Sequence, residues 1–283
     1  EYRIKRMEKE KIIQHYITTI NSAILGYQTY KIYLKVNQTK PQKDFIEFVK
    51  NHSNVIHCLK TEGYFDYTIS VAEKNIKELD EFLIILRSKF KELIIKHYVS
   101  IAVYTKVFKL EKLLLEKKEN GIKAMKVASN EKEINLDEKD KLILKNLSQA
   151  ANIGIVDLSE KTKLSLDIVK YRLKKLENSI IVSHRAIFDF KKIGYYHYVF
   201  LLKIKEITKE NENKLDTWCH QNKNVAYYGK KIGEFDFEIN VAIKDIDEFN
   251  TFIQDMKNHI GNFIESYELL INSDLIKLNY LPI

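Results

Sequence analysis

The chain has 283 residues, 47 lysines and arginines against 39 aspartates and glutamates, a formal net charge of +8 and a pI near 9.1. That length suits about two domains, the apolar share of 45% excludes disorder as the default, and the basic balance fits an anionic partner without choosing nucleic acid over membrane. Cys58 and Cys219 make no disulfide framework, and neither a membrane span nor a signal peptide is expected, which fits a reducing cytoplasm.

Residues 1–26 open with Tyr2-Arg3-Ile4-Lys5-Arg6-Met7-Glu8, which returns later as Tyr171-Arg172-Leu173-Lys174-Lys175-Leu176-Glu177. Ile12-Ile13 falls near Ile180-Ile181 with one residue inserted, and Leu25-Gly26-Tyr27 matches Ile193-Gly194-Tyr195. In residues 27–110, Tyr27 to Val36 reads as a strand and Pro41 starts a helix running to about His52. Val55 to Glu62 and Phe65 to Ala72 make a hairpin turned at Gly63, a helix carries Ile76, Leu79, Phe82, Leu83 and Leu86, and a strand runs from Ile94 to about Val107. The order β-α-β-β-α-β predicts a ferredoxin-like domain, two helices on one face of an antiparallel sheet. Phe108 to Leu115 extends that last strand or forms a short helix, and residues 111–135, rich in Lys, Glu and Asn, read as a linker.

Residues 136–194 follow. A helix carries Leu136, Ile143, Leu144 and Leu147 on one side, a short helix from Ile155 to Thr162 buries Leu158, and a third helix starts at Ser165. Ser165 is a good N-cap, Leu164 can staple on Val169, and Asp167 suits the positive helix start. Val169, Leu173 and Leu176 form one apolar stripe, with Lys170, Tyr171, Lys174 and Lys175 off it. On pattern alone that basic face is either a solvated surface or a nucleic-acid contact. Alternation from Ile180 through Ile187 and Phe188 predicts a small hairpin with His184 and Arg185 at its tip, completing a winged helix-turn-helix.

Residues 195–283 repeat the first module. Tyr195 to Lys205 is a strand, a helix near Lys209 to Gln221 carries Leu215 and Trp218, and Val225 to Ile232 pairs with Phe235 to Ile243 across Gly233. A helix with Ile246, Phe249, Ile253 and Met256 precedes a last strand around Ile264 to Ile271. Asn54-Val55 and Gly63-x-Phe65-Asp66-Tyr67 match Asn224-Val225 and Gly233-x-Phe235-Asp236-Phe237 at a constant offset, the mark of duplicated domains. The fold class is therefore α+β: a winged helix-turn-helix plus two ferredoxin-like domains, 27–110 and 195–283. Residues 1–26 read as the remnant of a first winged helix, so one more helix-turn-helix is expected upstream. Without it Ile4 and Met7 lose their cover, and residues 1 to about 12 should be mobile or packed on a neighbouring surface.

Residues 136–194 closely resemble the DNA-binding domain of the Lrp/AsnC family, the leucine-responsive regulators of bacteria and archaea. The match runs through Leu136-Asp137-x-x-Asp140-x-x-Ile143-Leu144-x-x-Leu147, Asp157-Leu158-Ser159, Leu164-Ser165 and Val169-x-x-Arg172-Leu173-x-x-Leu176-Glu177-x-x-Ile180-Ile181. It departs at Lys163 and Ser179, where the family has Gly at helix ends that favour φ > 0. The resemblance implies a regulator that contacts double-stranded DNA through Ser165, Asp167, Lys170, Tyr171, Arg172, Lys174, Lys175, His184 and Arg185. It makes the two ferredoxin-like units RAM domains, the ligand-sensing and oligomerising half of the family. Gly63, Asp66, Gly233 and Asp236 match its Gly-x-x-Asp signature, beside which amino-acid effectors bind; both glycines also suit a tight hairpin turn.

Strand 235–243 places Phe235, Phe237, Ile239, Val241 and Ile243 on one face and Asp236, Glu238 and Asn240 on the other. Strand 195–204 is apolar on both faces, so a second sheet should cover the face that helices do not. The family's sheet-to-sheet dimers fit this, as a homo-oligomer or as an intrachain pseudo-dimer. No cofactor or metal site is expected, since the eight histidines show no ligand spacing. The rival is an enzyme like the sirohaem decarboxylases, built on a similar architecture. Such a site calls for histidine and arginine, yet Arg87 is the sole arginine of either RAM-like module. A RAM-type sensor with vestigial DNA heads is a third reading.

Overall fold

The computed structural model describes residues 2–108, 113, 125–128 and 133–282. Helix α1 (Tyr2–Lys9) buries no residue and passes through Lys11, at φ 55°, into strand β1 (Ile13–Ile20). Then come β2 (Gln28–Val36), α2 (Lys43–Asn51), β3 (Val55–Gly63), β4 (Tyr67–Glu73), α3 (Ile76–Lys89) and β5 (Ile94–Val107). The middle of the chain holds β6 (Met125–Ala128), α4 (Glu138–Gln149), α5 (Ile155–Thr162), α6 (Leu166–Glu177) and β7 (Ile181–Phe188). The second half runs β8 (Tyr196–Ile204), α7 (Lys209–Gln221), β9 (Val225–Gly233), β10 (Phe237–Ile243), α8 (Ile246–Ile260) and β11 (Ile264–Leu278). Helices α3 and α8 start alike. Asn75 and Asp245 cap them from outside, while Glu78 and Glu248 reach back to the backbone N–H of Lys74 and Lys244.

The large sheet is ordered β2-β4-β3-β11-β8-β10-β9-β5-β6, and β2 also pairs with β5, so every strand but β6 belongs to one closed ring. Each half supplies four of the ring's strands, and two seams join them: β3 on β11 and β9 on β5. The sequence ended the last strand near Ile271, but β11 continues to Leu278 because residues 270–278 form the seam with β3. Helices cover the outside of the barrel. Ile32 and Leu34 pack there in one half, Phe200 and Leu202 in the other. Tyr33, Phe65, Val199, Leu201, Phe235 and Leu270 pack together on the inside. The second apolar face of strand 195–204 thus looks into the barrel, at the opposite wall of the same closed sheet, and not at a separate sheet packed on it.

Two expectations need correction. Residues 181–188 do not fold into a hairpin wing. They form the single strand β7, antiparallel to β1, from Ile13↔Phe188 to Ile20↔Ile181. One strand follows α1 and the other follows α6, and the two satisfy each other's backbone groups. His184 and Arg185 therefore sit in mid-strand, opposite Thr18 and Ile17. The linker 111–135 lies largely outside the described residues, but within it β6 pairs with β5 at Tyr104–Val107.

The helix-turn-helix core joins Ile143, Leu144, Leu147, Leu158, Val169 and Leu176 to Ile20 of β1 and to Leu281. Lys163 adopts φ 55°, the left-handed conformation for which the family uses Gly, whereas Ser179 keeps negative φ and bonds the Lys175 carbonyl through its hydroxyl.

Candidate functional site

On α6 the stripe Val169, Leu173 and Leu176 faces the domain core. Asp167, Lys170, Tyr171 and Lys174 are exposed on the opposite side, at spacings that make one ridge. Tyr171 is 72% exposed. Ser165 stands at the N-cap position with extended backbone, but its side chain makes no capping bond. Arg172 is not on the ridge. Its Nη1 donates at 2.7 Å to Asp137 and to the buried Asp140, pinning α6 to the start of α4. Lys175 also lies 3.3 Å from Asp140 and remains half exposed. His184 meets Thr18 Oγ1 at 3.1 Å and Glu177 at 3.7 Å. Arg185 donates to the Tyr280 hydroxyl at 3.1 Å. Lys170, Tyr171, Lys174 and Lys175, expected off the apolar stripe, are exposed, while Arg172, His184 and Arg185 are held in contacts within the chain.

The hairpin signature has a structural duty in both halves. Asp66 is buried and accepts from the Val36 N–H at 2.7 Å and from Gln38 at 2.8 Å. Asp236 accepts from the Ile204 N–H at 2.8 Å. Each carboxylate ties the hairpin to the end of the preceding strand, β2 or β8. Gly63 and Gly233 sit on the seams, opposite Leu270 and Ser100.

A larger feature went unseen in the sequence. Between the β1–β7 ribbon and the inner barrel wall lies a cavity of about 800 Å³. Glu238 is buried at its base and gathers four donors: Lys231 at 3.0 Å, Lys31 at 3.4 Å, the Tyr33 hydroxyl at 3.2 Å and Asn240 at 3.1 Å. Lys31 and Tyr33 come from the first half, the others from the second. The two lysines hold the Glu238 carboxyl well below the usual carboxylate range despite its burial. Burial, first of all, pushes His57 down to about 3 and His197 down to about 4, with Lys31 adding repulsion to both.

Both imidazoles are therefore neutral at neutral pH. As pH falls, the unfolded chain takes up protons near the ordinary imidazole range of about 6.5, before the folded one does. Their contribution to stability is complete above that range and is lost toward pH 4. Melting temperature should fall between pH 7 and pH 5, and His57→Gln and His197→Gln should each flatten that slope. The groups facing the histidines are Lys31, Glu238 and, for His57, also Arg185 and His197. An unchanged slope in both variants would place the acid sensitivity elsewhere.

A family model for winged helix-turn-helix DNA-binding matches residues 136–179, and one for the Lrp/AsnC ligand binding domain matches residues 30–100. An HTH-type transcriptional regulator of Pyrococcus furiosus is 30% identical over 125 residues, 43% of this chain and 80% of the relative. Transcriptional regulator AzlB of Bacillus subtilis is 30% identical over 124 residues, 43% of this chain and 79% of its own. Among solved structures, the siroheme decarboxylase NirDL shares the fold over 98% of this chain and 81% of its own, with TM-score 0.63 and 14% identity. The decarboxylase likeness is one of architecture alone. Sequence identity carries the relationship to the regulators, and the chain belongs to the Lrp/AsnC family of DNA-binding transcriptional regulators.

Proposed function

We propose that α6 reads a specific DNA site and that a small-molecule effector, an amino acid by resemblance, acts through the two ferredoxin-like, RAM-type modules. The observation that carries the DNA reading is the exposed ridge Asp167, Lys170, Tyr171 and Lys174 on a helix whose other face is anchored in the core. Lys174 and Lys175 supply phosphate contacts, and Lys170 and Tyr171 face base edges. Ser165 and Asp167 lie at the helix start, the end that approaches the groove in this motif. An effector favours one arrangement of the modules only by binding it better.

Binding should weaken with salt, log K falling by roughly 0.9 per phosphate neutralised for each log unit. Lys174→Ala should weaken specific and random duplexes alike, whereas Tyr171→Ala or Lys170→Ala should mainly hurt the specific site. Arg185→Ala should matter less than Lys174→Ala, since Arg185 bonds Tyr280 beside the cavity. No affinity for any duplex at low salt in an electrophoretic or anisotropy titration would end this reading.

The cavity favours a second reading, an enzyme of the decarboxylase type. A structure of NirDL is a co-complex with an iron-uroporphyrin III analogue. The scarcity of arginine in the RAM-like modules counted against this reading, yet Arg185 reaches the cavity from β7 instead. Against it, neutral His57 and His197 do not grip carboxylates as cations. A Soret band retained through purification, or gained on adding an iron porphyrin, would favour the enzyme.

A further inference from the structure

The polar lining of the cavity is incomplete. Arg185 Nε, His197 Nε2, Asn272 Oδ1, Ser183 Oγ and Thr19 Oγ1 are all buried without a hydrogen-bond partner among the described residues, and all five residues line the cavity. Buried polar atoms are nearly always paired, so five around one space indicate a place for a polar guest.

The charges tell its sign. Lys31 and Lys231 share the single carboxylate of Glu238, and Arg185 has only the Tyr280 hydroxyl and ring as partners among the described residues. Two further carboxylates line the space. Asp274 is exposed, and Asp189 is occupied by the backbone N–H groups of Lys191 and Lys192. The inner wall therefore keeps an excess of positive charge. The remainder of the lining is largely apolar, with Ile20, Ile56, Leu59 and Leu278 among it. At about 800 Å³ the space falls in the upper part of the roughly 300–1,000 Å³ typical of ligand pockets. A free amino acid would leave most of it unfilled.

The site is also singular. Matching the two halves strand by strand, Lys31 corresponds to Val199, Lys231 to Thr61, Glu238 to Thr68, His57 to Tyr227 and His197 to Thr29. A barrel with two equivalent halves would hold two equivalent sites. This one has concentrated its polar residues in one.

We infer that this cavity binds one organic anion per chain, a carboxylate or phosphate on an apolar body, with Arg185 as its principal cation. Ser183 and Arg185 lie on β7, which begins four residues after α6 ends, so the ligand is gripped by the strand that carries the recognition helix. The site is distinct from the hairpin signature at Asp66 and Asp236, and it stands whether or not the DNA reading does.

The probe is 8-anilinonaphthalene-1-sulfonate, with neutral N-phenyl-1-naphthylamine as its uncharged counterpart, titrated into the full chain by fluorescence. The expected result is saturable binding of the sulfonate at one site per chain, about tenfold tighter than the neutral amine, the worth of one charge-assisted hydrogen bond. Arg185→Gln should erase that preference, Arg185→Lys should keep much of it, and Lys214→Gln on the outer helix α7 should leave it unchanged. Amide exchange in residues 181–188 should slow when the sulfonate is bound. Equal binding of the two dyes by the native chain, or more than one equivalent site, overturns the inference. Should Arg185→Gln fail to fold, the comparison of the two dyes on the native chain still decides it.

Discussion

Replacing Glu238 by Gln is expected to destabilise the barrel by about 3–5 kcal/mol, a fall in melting temperature of roughly 5–9 °C for a chain of this size. The reason is the company it keeps. Lys31 and Lys231 are both buried, and Glu238 is the carboxylate within reach of each. Without its charge, two ammonium groups face each other across the barrel interior. A buried cation stripped of its partner is far more costly than a pair exchanged for apolar groups of similar volume. The triple variant Glu238→Gln, Lys31→Met, Lys231→Met should therefore recover most of the loss. Denaturant unfolding of the single and triple variants checks both arms. A single variant that melts within about 2 °C of the native chain would mean that the lysines find water in the cavity and that the cluster does not hold the halves together.

The outer layers of this fold were legible because they obey simple periods. The helix stripes at Leu79, Phe82 and Leu86 and at Val169, Leu173 and Leu176 follow the 3.6 repeat, and each stripe lies against a hydrophobic core as that repeat requires. The exposure of Lys170, Tyr171, Lys174 and Lys175 off the α6 stripe was legible for the same reason. What stayed hidden belongs to the inside of a closed ring. Glu238 and Asn240 alternate with apolar neighbours and so read as a wet or paired face. Both are buried, because the face that an open sheet would turn to solvent looks here at the opposite wall of the same closed sheet. Alternation reports that two faces differ, not what lies beyond them.

The wing failed for a related reason. A strand that must find a partner reads the same whether its partner is the next strand or one more than a hundred residues away. Thr18 and His184 meet across that distance, and nothing local to either announces it. One signal for the cavity is present in the sequence. The repeat is marked by its identities, at Gly63 and Gly233 or Asp66 and Asp236, whereas the cavity lies in its differences. Glu238 against Thr68 and Lys31 against Val199 are positions where one copy became charged and the other did not. In a duplicated chain, such lopsided pairs on the inner face of a strand are where a single asymmetric site can be built from two similar halves.

The seams make the other large prediction. Gly63→Ala should cost several kcal/mol, and Gly233→Ala a similar amount, although alanine is the smallest change available. Gly63 has φ +119°, and an added Cβ would stand 2.5 Å from the Leu269 carbonyl oxygen; at Gly233, φ +144°, the Val99 carbonyl oxygen is 2.6 Å away. Both obstacles are backbone atoms of the partner strand, so no rotamer change relieves them. The strand must move off, and the ladder from Leu270 to Leu278 or from Ser100 to Val107 moves with it. Gly194 separates strain from collision. It too has positive φ, +80°, but a Cβ there meets nothing within 4 Å, so Gly194→Ala should lose only the backbone term of about 1–2 kcal/mol. Thermal melts of the three variants should rank Gly194→Ala well above the two seam variants. The double variant Gly63→Ala, Gly233→Ala should fall short of the summed single losses, because a ring already opened at one seam has less to lose at the other. Full additivity would show that the seams act independently and that each half holds its four strands without the closure of the barrel.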